Sequence, residues 1–173
     1  MRATRIALLI ALTGLSGCVT MPRIAAPPVA AAVAPPFDPM TFFNGRLTGE
    51  GRLKKLFSGT VATAVESHGR VEHGVLYLTQ TVREGAKPAE TRTWSIRQVG
   101  PGRYAGKLDK TPNPIAGEAA GNRLHLSFVT RSGYAADQWL TLAPDGRSAY
   151  NEMRVRKFGI QVAALSEVIR KAD

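Results

Sequence analysis

Thr91-Arg92-Thr93-Trp94-Ser95-Ile96-Arg97 is the stretch that decides the fold. Side chains along a β-strand alternate between two faces, so Trp94 and Ile96 share one face while Thr93, Ser95 and Arg97 share the other. Such alternation predicts a strand with one face in a core and one in water. Asn122 to Thr130 repeats it, with Leu124, Leu126 and Phe128 facing inward and Arg123, His125 and Ser127 outward.

Outward from these two runs, apolar/polar alternation is interrupted about every ten residues by Gly, Pro, Asn and Asp, an all-β pattern. Strands are expected at about 46–57, 60–67, 72–83, 103–108, 134–142 and 147–157. His68-Gly69-Arg70 reads as a turn, Gly74 as a bulge and Pro144-Asp145-Gly146 as a turn. Ile160 to Arg170 reads two ways: Ala163, Ala164, Leu165, Val168 and Ile169 would also line a helical stripe, but the preceding meander favours a strand. The expected fold is mainly β, an antiparallel meander closing into a lipocalin-like (calycin-like) up-and-down barrel of about eight to ten strands. Closure removes exposed strand edges, and a barrel of about eight strands encloses packed side chains or one small ligand.

The N-terminal end carries an address. Arg2 and Arg5 precede an apolar run from Ile6 to Leu15, followed by Ser16, Gly17 and Cys18. The run is too short for a membrane span, which needs about 20 residues, and has the order of a secretory signal. Leu15-Ser16-Gly17-Cys18 resembles the lipobox of bacterial lipoproteins, which implies cleavage before Cys18 and acylation of that residue. Two or more acyl chains anchor stably where one does not. Val19 stands where an aspartate would resemble an inner-membrane retention signal, so the resemblance implies a periplasm-facing outer-membrane lipoprotein. Cys18 is the single cysteine, so no internal disulfide is expected.

The division expected is therefore signal peptide at 1–17, a lipidated Cys18 with a tether to residue 36, and one domain at 37–173. Pro22, Pro27, Pro28, Pro35 and Pro36 make the tether extended; fully stretched it would reach about 50 Å. Removing Arg2 and Arg5 from the 23 basic residues leaves 21 against 13 acidic, a formal charge of +8. That surplus suits anionic lipid head groups. Export excludes nucleic acid as a partner.

Asp137-Gln138-Trp139-Leu140, then Asn151 and Lys157-Phe158-Gly159 after the turn, together with Phe43-Asn44-Gly45, Arg92 with Trp94, Tyr104 with Gly106, and Gly121-Asn122, resemble a family of small proteobacterial lipoproteins, domain of unknown function 3833. The likeness spans Phe37 to Arg170. It departs where Gln138 stands for a second aspartate and Glu152 for an arginine. The resemblance implies the fold and the address; the family carries no established activity.

Chemistry is sparse. His68, His73 and His125 are the only histidines; none forms a ligand pair with a nearby acid, although His68 and His73 could meet across a hairpin, and no metal or other cofactor is expected. No nucleophile elbow, phosphate loop or dinucleotide fingerprint occurs. The best candidate ligand-binding set is Trp94, Asp137, Trp139, Asn151, Arg154 and Lys157. One reading is a barrel-mouth site with Trp139 as an apolar floor and Lys157 or Arg154 meeting an anionic group. The other is structural, a core filled by Trp94, Ile96, Leu124, Leu126, Phe128 and Trp139. The expected function is non-enzymatic binding of an apolar or amphiphilic small molecule or an envelope component. Its alternatives are a filled module that docks another envelope protein and, behind both, a hydrolase or isomerase using Asp137.

Overall fold

The computed structural model describes residues 19–24, 35–111 and 113–172; the lipidation position, Cys18, lies outside them. A short helix, α1 (Pro39–Phe42), precedes ten strands: β1 (Gly45–Lys55), β2 (Thr60–Glu72), β3 (Val75–Glu84), β4 (Glu90–Gly100), β5 (Arg103–Leu108), β6 (Ile115–Ala120), β7 (Arg123–Val129), β8 (Ala135–Leu142), β9 (Ser148–Lys157) and β10 (Ile160–Lys171). Each pairs antiparallel with its sequence neighbours, and β1 pairs with β10 to close the barrel. The expected up-and-down barrel is the fold observed, and residues 160–171 are strand.

Trp94 and Ile96 on β4, and Leu124, Leu126 and Phe128 on β7, point inward and are buried as the alternation requires. Outward positions such as Glu50, Arg52, Glu66, Arg97, Lys107 and Arg123 meet water or lie partly exposed. A barrel that crossed a bilayer would carry an apolar outer band, and this wall carries charge.

One end is plugged. Asp38 caps α1, accepting from the Met40 N–H at 3.0 Å and the Thr41 hydroxyl at 2.6 Å. Phe37, Phe42 and Phe43 pack on one another with ring centroids 5.0–6.3 Å apart. The Lys171 ammonium donates to the carbonyls of Thr41, Phe42 and Asn44 at 2.8–3.1 Å, tying the plug to the end of β10. Gly69 explains a misread turn. His68-Gly69-Arg70 lies within β2, and the reversal comes at His73-Gly74, with φ of 49° and 76°. Gly69 serves close approach: a Cβ there would sit 1.8 Å from the Phe43 carbonyl oxygen. Gly74 is a turn residue, not a bulge.

Of the segment expected as an extended tether, residues 19–24 lie against the wall. Val19 is buried, its carbonyl accepting from the Gln161 amide, and Thr20 receives the Lys54 ammonium at 3.5 Å. Ile24 lies beside Glu50, Gly51, Val168 and Arg170. Residues 19–24 thus run down the outside of the β1–β10 seam from the unplugged end toward the plugged one. The outer face of β10, with Ala164, Ser166 and Val168, is accordingly as buried as its inner face.

Candidate functional site

The end opposite the plug is open. Inside it lies a cavity of about 420 Å³ walled by Leu53, Leu108, Phe128, Tyr134, Met153 and Val162, among others. Below is a narrower chamber of about 80 Å³, floored by Phe43. Arg92, Phe128 and Met153 line both, so the two form one tapering interior. The upper volume alone falls in the range of small-molecule sites.

Polar groups are concentrated at two depths. Arg92 shares the parity of Trp94 and Ile96, which turns its side chain into the barrel, and its ion-pair contact with Glu90 is long at 3.8 Å. Nearer the rim, Glu84 receives both Lys55 and Lys87. Partial burial raises the Glu84 pKa, but the two ammonium groups outweigh it and hold the carboxyl below its ordinary value. Arg131 is held by Asp109 at 2.7 Å and by the Thr91 carbonyl at 3.1 Å.

The floor is the less ordinary station. Glu167 is 4 % exposed and Asn151 1 % exposed, and the Asn151 amide donates to Glu167 Oε2 at 2.8 Å. Burial pushes the Glu167 pKa up, with the Asn151 bond opposing, so desolvation favours the neutral acid. Glu167 Oε1 and Asn151 Oδ1 are buried with no partner. A neutral carboxyl can donate and an amide oxygen accepts, so the pair offers one donor and one acceptor at the bottom of an apolar shaft. Space for the carboxyl comes from Gly49, where a Cβ would lie 2.4 Å from Glu167 Oε1. Beside it Trp94 donates to Gln80 at 2.6 Å, Gln80 donates to Ser67 at 3.3 Å, and Phe128 meets Trp94 edge-on at 5.2 Å.

The six residues singled out from sequence do not form one site. Trp94 and Asn151 are in the lower chamber. Lys157 is exposed at the rim, its ammonium 5.1 Å from the Tyr134 ring centre. Asp137, Trp139 and Arg154 are outside. The inward residues of β8 are Ala136, Gln138, Leu140 and Leu142, so Trp139 neither fills the core nor floors a cavity. Instead it stacks on His125 at 4.9 Å with Arg154 at 5.4 Å, while Asp137 joins His125 at 3.1 Å to Arg156 at 2.6 Å. Aromatic size suggested core, but parity decides: Trp139 lies between the inward residues Gln138 and Leu140 and therefore faces out. His68 and His73 do not meet, standing roughly 16 Å apart along one extended run, and among the described residues no group of three or more metal-ligand side chains gathers.

Sequence reasoning missed Arg92, Gln80 and Glu167. The signal was parity: Arg92 shares a face with Trp94 and Ile96, and Glu167 with Leu165 and Ile169. A charged residue on a core face is costly unless it has a task.

Two solved structures share the fold. The S-type phycobiliprotein lyase of Guillardia theta superposes with a TM-score of 0.61 at 4 % identity, over 78 % of this chain and 90 % of its own. Rv2717c from M. tuberculosis superposes with a TM-score of 0.57 at 16 % identity, over 76 % and 93 %. No curated protein matches the sequence. The family model of DUF3833, a protein of unknown function, matches residues 12–171. The chain, a closed ten-stranded barrel with an open, polar-floored interior, belongs to that family.

Proposed function

We propose that the barrel is a non-enzymatic binding protein for one amphiphilic small molecule, whose apolar body occupies the upper cavity and whose polar group reaches the Glu167–Asn151 floor. The observation that carries this reading is the pair of unpartnered buried atoms, Glu167 Oε1 and Asn151 Oδ1, on two side chains that line the lower chamber. Buried polar atoms without partners are costly, and a ligand hydroxyl, amide or carboxylic acid would satisfy both. Arg92, halfway up, offers a second station to an anionic substituent. The cavity of about 420 Å³ favours this over a filled docking module. The lipobox-like Cys18 extends the reading to a lipid-anchored protein on the periplasmic face of the outer membrane.

Trp94 lines the lower chamber and reports on it by fluorescence. Titration of the protein with a long-chain fatty acid should shift that emission saturably, with one ligand per chain in native mass spectrometry. Met153→Trp, which fills the passage shared by the two chambers, should abolish the response. Absence of any fatty acid, phospholipid or co-purified amphiphile from the barrel would overturn the carrier reading.

A further inference from the structure

Three large apolar side chains stand in solvent at one arc of the open rim. Phe57, 99 % exposed, is in the β1–β2 turn; Phe158, 93 % exposed, is in the β9–β10 turn; Ile160, 59 % exposed, begins β10. Pairing of β1 with both β2 and β10, and of β10 with β9, makes these turns neighbours. Both phenylalanines have left-handed backbones, with φ of 60° and 49°. A Cβ-bearing aromatic resists that conformation, and a two-residue hairpin such as Phe158-Gly159 ordinarily takes Asn-Gly. The rings are therefore held at a conformational cost where they gain little from packing.

Cations flank the same arc. Arg156 and Lys157, with Tyr134 and Phe158, border a groove of about 430 Å³ between the β7–β8 and β9–β10 turns. Lys110 is exposed at the next turn, also with a left-handed backbone. Aromatic tips beside Lys and Arg form the composition of a surface that enters a lipid interface. Independently, Val19 is bound to Gln161, three residues past Phe158 on that arc, and the chain runs from there toward the plugged end. Val19, the residue that follows Cys18 in sequence, thus lies near the open rim.

We propose that this rim rests on an anionic phospholipid bilayer, mouth toward the lipid, with Phe57, Phe158 and Ile160 inserted and Lys157 and Lys110 at the phosphates. Acyl chains on Cys18 would hold the same end in place instead of suspending the barrel at the end of a long tether. The inference is independent of which ligand the cavity takes, or whether it takes one.

The test uses the chain from Val19 onward, which contains every described residue and bears no lipid. It is floated with vesicles of 30 mol % phosphatidylglycerol in phosphatidylcholine, at low and high salt, and with pure phosphatidylcholine. The expected result is salt-sensitive binding to the anionic vesicles that falls at least tenfold in Phe57→Asn/Phe158→Asn. Asn tolerates left-handed backbone, so the double variant keeps its turns and melts at the temperature of the parent. Val71→Asn, near the plugged end, should bind vesicles as the parent does. No binding by the parent, equal binding by the double variant, or a mouth-to-mouth dimer in place of vesicle binding would each overturn the proposal.

Discussion

Glu167→Gln isolates the floor of the cavity. The substitution keeps the side chain's size and leaves an amide that can exchange reciprocal hydrogen bonds with Asn151, but it removes the ionisation. In the native barrel, burial raises the Glu167 pKa from its ordinary value of about 4.5. Below that value the carboxyl is protonated in both folded and unfolded chains and costs nothing. As pH rises further the unfolded chain releases its proton first, so the folded state binds more protons and stability falls with pH. One such group gives a maximal slope of about 1.4 kcal/mol per pH unit, which ends at the folded-state pKa. At a urea dependence of about 1.5 kcal/mol/M, that is about 1 M of unfolding midpoint per pH unit. Asp109, Asp145 and Glu84, whose pKa values are lowered, contribute slopes of opposite sign, but they are common to both proteins and cancel in the difference. Urea titrations of parent and variant from pH 4 to 9 should therefore diverge above about 4.5 in favour of Gln, and the pH where the difference levels off measures the folded-state pKa. Parallel curves throughout would refute the assignment of Glu167 as a neutral buried acid.

Three further substitutions separate inside from outside. Gly51→Ala should cost about 2–3 kcal/mol and Gly49→Ala less, because the new methyl at 51 meets the Ser166 carbonyl oxygen at 2.5 Å, while at 49 it meets the carboxyl end of Glu167; thermal melts give the order, and a reversed order would sink the argument. Asp137→Asn removes the charge shared by His125 and Arg156 on the outer wall, so it should cost about 1 kcal/mol or less and leave the Trp94 fatty-acid titration unchanged; loss of that response would return Asp137 to the binding site.

The architecture was legible because most strands of this barrel have one wet face and one dry face. Trp94, Ile96, Leu124, Leu126 and Phe128 announce their side by period two, and their burial follows. β10 obscured that signal for a physical reason: its outer residues Ala164, Ser166 and Val168 are covered where residues 19–24 cross the seam. A strand buried on both faces loses its alternation and resembles an apolar helix. Gly69 misled similarly. Glycine marks both turns and places where backbone comes close, and only the position of Phe43, distant in sequence, distinguishes them.

The candidate site was less legible because its residues are identified by which side of the wall they occupy. Asp137, Trp139 and Arg154 have a ligand-like composition yet belong to an exterior ladder with His125 and Arg156. Asn151 shares β9 with Arg154, but its inward parity places it against Glu167, its cross-strand partner in the β9–β10 register. A rule that ranks aromatics and charges by chemistry alone selects the ladder. A rule that first asks which polar residues share parity with the core selects Arg92, Gln80, Asn151 and Glu167. In a closed barrel the second rule has the stronger physical basis, since an outward polar residue is solvated at little cost while an inward one must be satisfied by the protein or by something the protein holds.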